Sequence, residues 1–291
     1  MDRHTHNAAG NLRSIVFMLL AVGFFALMDA VLKTLSARYP ALQIAALRGI
    51  TALPLVLLYI TWRGAWGTVL KVRWPLHLLR GVLGIAMLAM FTLGVRELPL
   101  SAAYTLFFIS PLLITALSVP VLKERVPPAH WWAIGIGFIG VLIALRPSGE
   151  DLTTGFVTLG GLATLGAALC YAITAVAGRL VSRTDSSESM ILTMMVAMSV
   201  GAGALALPDW VAIQRADAPL LLALAITGFG GQLAITEAFR HGQASVVAPF
   251  EYSALAWGLA LDWMIWQTLP APHTWLGAAI VIASGLYLIR R

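Results

Sequence analysis

The chain has 291 residues, 59% of them hydrophobic and only 11% charged, with a mean hydropathy of +0.86. That composition excludes an ordinary water-soluble domain. The formal net charge of +6 arises from Lys and Arg spread singly along the chain, without the aromatic-interleaved basic cluster of a nucleic-acid surface, so no nucleic-acid partner is expected.

In chain order, a polar tail over residues 1–13 precedes ten apolar runs, at roughly 14–35, 41–62, 75–95, 99–121, 128–146, 156–180, 188–207, 218–239, 244–266 and 273–290. Each is close to the ~20 residues that cross a hydrocarbon core of ~30 Å, where backbone polar groups must be satisfied within a helix. The first run is too long for the apolar core of a signal peptide and lacks a small-residue cleavage site. The expected fold class is all-α, a polytopic membrane protein with ten transmembrane helices. With the N-terminus in the cytoplasm, Arg63, Lys71, Arg73, Lys123, Arg125, Arg179, Arg183 and Arg240 lie on the cytoplasmic side, against Arg38, Arg96, Arg146 and Arg215 opposite. The positive-inside bias then places both termini in the cytoplasm.

The second half repeats the pattern of the first. A shift of 144 carries Arg96 to Arg146 onto Arg240 to Arg290 without a gap, matching Ser101 to Ser245, Pro128 to Pro272 and Trp131 to Trp275. A shift of 146 carries Ala21 onto Ala167, Lys33 onto Arg179 and Ser36 onto Ser182. Five spans per half is an odd number, so the second half enters the membrane from the opposite side, giving two inverted five-helix repeats. The expected division is a cytoplasmic tail 1–13, a first repeat 14–146, a linker 147–155 and a second repeat 156–291.

Ionisable groups inside spans are costly and therefore informative. Asp29 and Lys33 stand four apart on one face of span one, and Arg48 enters span two to a similar depth, so Asp29 is able to pair with either. Glu251 and Asp262 are eleven residues apart, close to three helical turns, which would set both carboxylates on one stripe of span nine as proton or cation sites. Glu237 lies near the cytoplasmic end of span eight, where it can snorkel or pair with Arg240. These five groups, Asp29, Lys33, Arg48, Glu237 and Asp262, are the ion-pair or coupling candidates.

Span eight runs Gly228, Gly230, Gly231, Gln232, and Gly84 of span three is the repeat mate of Gly228. Such glycines either interrupt a helix near the midplane or let another backbone approach. Pro111 in span four and Pro249 in span nine add a second repeat-related pair of breaks. Gly84, Pro111, Gly228, Gly230 and Pro249 are therefore hinge candidates. Tyr104, Phe107 and Phe108 share one face of span four, and Tyr171, Tyr252 and Trp257 add rings from spans six and nine. With Gln232 and Glu251 they form the expected binding set for a planar or apolar solute with a polar end. Packing within the bundle or contact with lipid is the more frequent reason for such aromatic stripes.

Two motifs are set aside. Gly135-Ile-Gly-Phe-Ile-Gly140 matches a dinucleotide fingerprint in letters but lies inside an apolar span, without the preceding strand. His4 and His6 in a polar tail do not make a metal site, and no nucleophile–base or metal-ligand spacing is present, so neither cofactor, metal nor enzyme activity is expected.

The run Leu122-Lys-Glu-Arg-Val-Pro-Pro128, Trp131, the glycine-rich span ending Ala144-Leu-Arg-Pro147, Lys33, and Gly161 to Arg179 resemble the drug/metabolite transporter superfamily of the EamA type, across nearly the whole chain. The chain departs from that pattern in the second repeat, where Thr268 stands at the position of Glu124. Within the family it most resembles the YddG-like aromatic amino-acid exporters. The resemblance implies a bacterial inner-membrane exporter of aromatic or other hydrophobic amino acids. A cavity between spans 1, 3, 4, 6, 8 and 9 would work by alternating access, with small-molecule solute and lipid bilayer as partners.

Overall fold

In a computed structural model, residues 2–69, 72–97, 106–145, 158–257, 260, 264 and 272–289 are described, without the side chains of 2–11, 33, 92, 95–97, 144–145, 274, 285–286 and 288–289. Helices account for nearly all of them: α1 (Asp2–Leu35), α2 (Ala41–Arg63), α3 (Trp74–Glu97), α4 (Ser110–Leu122), α5 (Pro128–Leu145) and α6 (Leu159–Val181). Then come α7 (Ser187–Val196), α8 (Ala218–His241), the short α9 (Ala244–Val247) and α10 (Pro272–Ile289). Among the described residues six helical stretches are long and apolar enough to cross a membrane: Leu12–Leu32, Ala41–Arg63, Trp74–Phe91, Leu159–Val181, Ser187–Asp209 and Arg215–His241. Ser110–Leu122, Pro128–Ile143 and Trp275–Ser284 are shorter apolar helices, and the second part of expected span nine lies largely outside the described residues.

Helix ends follow from local chemistry. Thr158 Oγ1 accepts from the Gly161 N–H at 3.1 Å and Ser186 Oγ from the Ser189 N–H at 3.1 Å, capping α6 and α7. Gly64, at φ 63°, closes α2 in the left-handed conformation that glycine adopts freely. Lys123, at φ 56°, does the same for α4 and turns the following residue, Glu124, back across the bundle.

Packing repeats when the two halves are exchanged. α1 lies along α8 and α3 along α6, which are one another's equivalents, while α2 packs on α7 and α5 on α10, each on its own repeat mate. Small residues set these approaches, as expected where lipid supplies no hydrophobic drive between helices. A Cβ on Gly49 of α2 would stand 2.8 Å from the Met195 carbonyl oxygen of α7, its mate at a shift of 146. A Cβ on Gly137 would stand 3.1 Å from Ser284 Oγ and one on Gly140 3.0 Å from Val281 Cγ2, a matched pair at the α5–α10 crossing under a shift of 144. Beyond Val196, α7 widens into a π-helix over Ala197–Ala202 beside α2 and α3, which the sequence does not announce. The outer surface is apolar, with Leu58, Trp62, Leu78, Trp132, Trp275 and Leu276 all more than half exposed. Bilayer lipid is the solvent that makes such a surface stable.

Candidate functional site

Two breaks in helix regularity lie at repeat-related positions. A helical turn at 106–107 is followed by a turn at 108–109, and α4 starts only at Ser110, with Pro111 in its first turn. In the other half α9 gives way to a 3₁₀ segment over Ala248–Ser253, with Pro249 in its first turn. Phe108 and Ile109 map onto Tyr252 and Ser253 under the shift of 144. Proline fits both places because its missing N–H falls where a helix has no internal acceptor to serve.

Of the two readings of these glycines, interruption and close approach, the second holds: both helices run continuously through Gly84, Gly228 and Gly230. These glycines make room instead. A Cβ on Gly228 would stand 3.3 Å from Arg48 Cγ, and one on Gly230 would stand 2.9 Å from the Phe24 ring. On Gly84 it would stand 2.9 Å from Met198 Cε and 3.4 Å from Met194 Sδ. The two mates therefore each face α2 or α7, and Arg48 is itself the repeat mate of Met194.

At the break in the ninth span sits Glu251, 7% exposed. The Tyr171 hydroxyl of α6 donates to Glu251 Oε1 at 3.0 Å. Phe107 lies 5.6 Å from the Tyr171 ring, and Phe91 lies edge-on to Phe107 at 5.3 Å. One carboxylate, one phenol and two rings from α3, α6 and the two broken segments thus converge. Rings offer their faces to cations and apolar groups, and the carboxylate has acceptor capacity beyond the one hydrogen bond.

A second cluster surrounds Arg48 of α2, 8% exposed. Its Nη2 donates to Gln232 Oε1 of α8 at 3.5 Å, a long bond, and its guanidinium lies over the Phe25 ring at 5.5 Å. Asp29 of α1 acts on Arg48 through its charge. Gln232 is 7% exposed. Phe25 and Tyr171 are repeat mates, as are Phe107 and Glu251, so the two clusters occupy related places with different chemistry.

The remaining expected residues separate. Phe108 and Tyr252 meet each other at 6.0 Å, and fully buried Tyr252 packs with Ile134, Val141 and Val281 in the α5–α10 seam. Trp257 is 40% exposed and lies against Gly23 of α1, whose Cβ would come within 2.9 Å of the indole. Glu237 pairs with His241 at 3.4 Å along α8, not with Arg240, which donates instead to the Asp185 carbonyl and Ser187 Oγ. Glu251 stands in the 3₁₀ segment, not in the regular α-helix assumed for its stripe with Asp262, and that stripe lies partly outside the described residues. Asp262, Tyr104 and the Lys33 side chain lie outside the described residues.

Sequence reasoning missed the two ends of the bundle. At one, Tyr39 Oη donates to Asp217 Oδ2 at 2.7 Å, Arg38 pairs with Asp217 Oδ1 at 2.5 Å, and Gln43 exchanges two hydrogen bonds with the Val211 backbone. At the other, Asp185 Oδ2 accepts from the Arg73 N–H at 2.9 Å and stands 2.9 Å from His77 Nε2, while Thr184 Oγ1 donates to Asp185 Oδ1 at 2.6 Å. The shifts relate these clasps: Tyr39 maps onto Asp185 and Asp217 onto Arg73. Neither acid is visible in the sequence as a clasp, because its contacts to Tyr39 or to Arg73 and His77 span over a hundred residues.

Glu124 adds a third tie on the Asp185 end. Its two oxygens accept from the Ala244 and Ser245 N–H groups at 3.0 and 3.1 Å and from Ser245 Oγ at 2.9 Å, holding the start of α9. Beside it an open cleft of about 400 Å³ is lined by Leu122, Lys123, Glu124, Arg125, Arg179, Arg183 and Gln243. None of the aromatic or Arg48 residues borders that cleft.

Apolar spans, paired repeats and buried polar clusters, one of them at a break in helix regularity, define a multi-pass membrane transporter fold. The chain belongs to the EamA-like transporter family, whose pattern matches it twice, over residues 12–146 and 158–291. It is similar to the pseudopaline exporter CntI of Pseudomonas aeruginosa, with 27% identity over 277 residues and 95% of each chain covered. It is also similar to a riboflavin transporter of Vibrio cholerae, with 28% identity covering 95% of this chain and 93% of that one. An S-adenosylmethionine uptake transporter of Rickettsia prowazekii is 24% identical over 96% of this chain and 92% of its own. A crystal structure of a protein 18% identical in sequence superposes with a TM-score of 0.81 over 97% of each chain, which shows the shared fold.

Proposed function

We propose that this protein is a secondary transporter of the bacterial inner membrane that exports small amphipathic solutes, aromatic amino acids foremost, by alternating access between two inverted five-helix repeats. On this reading ten spans cross the membrane, both termini face the cytoplasm, and the linker over 147–155 joins the halves. The observation that carries it is the convergence of Tyr171, Phe107 and Phe91 on the buried carboxylate of Glu251 at a break in helix regularity. Irregular backbone at membrane depth is tolerated where it borders protein or a water-filled path, and transporters place their solutes there. Glu251 and Tyr171 take the solute's ammonium, the rings of Phe107 and Phe91 flank its apolar body, and Tyr104, Phe108, Tyr252 and Trp257 enclose it in other stages of the cycle. Gln232 engages the remaining polar end.

A second reading is uptake or exchange of another metabolite, favoured by the named roles of the riboflavin and S-adenosylmethionine relatives. Counterflow in proteoliposomes, with a panel of aromatic amino acids and these metabolites at two pH values, decides between them. Saturable counterflow of phenylalanine, tyrosine or tryptophan is the expected result. No solute-dependent flux at all would leave a membrane sensor as the reading. Unchanged aromatic flux in both Trp257→Ala and Tyr104→Ala would remove those two rings from the enclosure.

A further inference from the structure

Arg48 is a buried cation whose donors the packing of the bundle leaves largely unused. It stands seven residues into α2, about 10 Å from that end of the helix at 1.5 Å per residue, and is 8% exposed. Among the described residues its only hydrogen bond is the 3.5 Å contact to Gln232, and Nε has no partner. A guanidinium carries five N–H donors in a planar fork that matches a carboxylate, so most of its capacity is unused. Asp29 supplies countercharge through space without occupying that fork. Arg80, the other deeply buried arginine described, also has an Nε and an Nη1 without partners, but it lies in the first two turns of α3 at the Asp185 end, close to the edge of the bundle and within the field of Asp185.

The surroundings of Arg48 are built to present it. Gly228 provides the space its side chain crosses, and Phe25, held against Gly231, lies beneath the guanidinium. The exchange of halves supplies an internal control. The same place in the second half holds Met194 against Gly84, with Tyr171 where Phe25 stands and Leu88 where Gln232 stands. A methionine satisfies the packing there, so the cation is not needed to fill the space. Intramembrane cations without a structural need are sites of solute or ion contact by default.

We propose that Arg48 and Gln232 form a carboxylate subsite, at which the guanidinium fork binds the solute's carboxylate and the Gln232 amide accepts or donates beside it. The subsite concerns the carboxylate alone and is independent of the Glu251–Tyr171 pair. This rests on the proposed transport of amphipathic solutes and narrows it to carboxylate-bearing ones.

The experiment compares phenylalanine with phenylalaninamide at about pH 6, below the titration range of an α-amino group beside an amide, so that the amide keeps the ring and the ammonium but loses the carboxylate. Purified protein is measured by thermal shift and by counterflow in proteoliposomes. Wild type is expected to favour phenylalanine by about tenfold or more, the value of a charge-assisted hydrogen bond left unmade. Arg48→Met, which copies the other half, is expected to abolish that preference while still moving the amide. Arg48→Lys should keep part of it, and Gln232→Leu should reduce it. A purely structural Arg48 would change yield or melting temperature without changing the ratio. Retention of the wild-type ratio in Arg48→Met overturns the subsite, as does a wild type that treats acid and amide alike. Should Arg48→Met not fold, the same ratio in Arg48→Lys and Gln232→Leu decides, and an unchanged ratio in both overturns it. If wild type moves neither aromatic solute, the transport reading fails separately. Thermal shift with phenylacetate against phenylacetamide then judges the subsite, and equal shifts overturn it.

Discussion

The two halves of this protein share a skeleton and differ in the chemistry hung on it. Gly228 against Arg48 becomes Gly84 against Met194, Glu251 becomes Phe107, Tyr171 becomes Phe25, and the Tyr39–Asp217 clasp becomes Asp185 with Arg73. Gly84 and Gly228 agree, each at a crossing where a Cβ would press on a neighbouring helix. Positions that disagree hold the buried charges. The lesson is that the repeat fixes where helices cross, while departures from it fix what the crossing can bind.

The largest test makes the halves alike at the carboxylate. Glu251→Phe copies Phe107 and leaves the Tyr171 hydroxyl without its acceptor, so counterflow of a cationic or zwitterionic solute is expected to fall by roughly 100-fold. Glu251→Gln, which keeps the shape, should fall less. Equal flux in Glu251→Phe and wild type would remove the carboxylate from the mechanism.

Next is Glu124, which ties α4 to α9, while its repeat mate Thr268 carries no carboxylate. Glu124→Ala leaves two backbone N–H groups and a buried hydroxyl without their acceptor, an expected loss of about 2–4 kcal/mol. A lowered melting temperature in detergent, partly recovered in Glu124→Gln, is the readout.

The two clasps sharpen the comparison at lower energy. Asp217→Asn and Asp185→Asn each weaken one end, by about 1 kcal/mol, and should shift the protein in opposite directions between its two openings. Cysteine-labelling rates at the two ends are expected to change with opposite sign in the two variants; a change of the same sign would mean the clasps do not gate opposite openings. Burial pushes the Asp185 carboxyl up, but hydrogen bonds from Thr184, the Arg73 N–H and His77 outweigh it and hold the group below the ordinary 3.8. Its contribution to stability is therefore complete above the ordinary value and is lost as pH falls through the lower folded one. Acid unfolding should lose this component in Asp185→Asn.

The smallest effects belong to the glycine mates. Gly84→Ala meets the flexible ends of Met198 and Met194, and Gly228→Ala meets the Arg48 stem at 3.3 Å. Both are expected to cost less than ~1 kcal/mol. Only Gly228→Ala should alter solute preference, because only it moves a charged group; matching transport profiles would break the asymmetry claimed for these sites.

Much of the fold is legible before any coordinates. The apolar runs end close to the observed helix ends of α2, α6 and α8, and the shift that aligns Gly84 with Gly228 also relates their contacts in three dimensions. Glu251 stands out in the sequence because a carboxylate inside an apolar run has few innocent explanations, and Tyr171 is found beside it. What escapes is whatever depends on distant pairing. Tyr252 shares a break with Glu251 yet turns into the α5–α10 seam, and Glu237 takes the neighbour four residues on instead of Arg240. Glycine patterns mislead in one direction: without a side chain, an interrupted helix and a tightly crossed one read alike.

The lengthwise pairing of α1 with α8 has a consequence for how the chain is made. α1 is inserted first, yet the surface it covers, including Gly230 against Phe24 and Gly231 against Phe25, belongs to a helix synthesised almost two hundred residues later. Until then the faces of Phe24 and Phe25 that meet Gly230 and Gly231 lack the helix they pack on. α3 waits for α6 over a shorter interval, and so the second half arrives to find one partner ready and one long delayed. Biogenesis of this protein is therefore gated by its late helices, and a ribosome stalled before α8 emerges would leave α1 the most exposed of its spans to quality-control proteolysis.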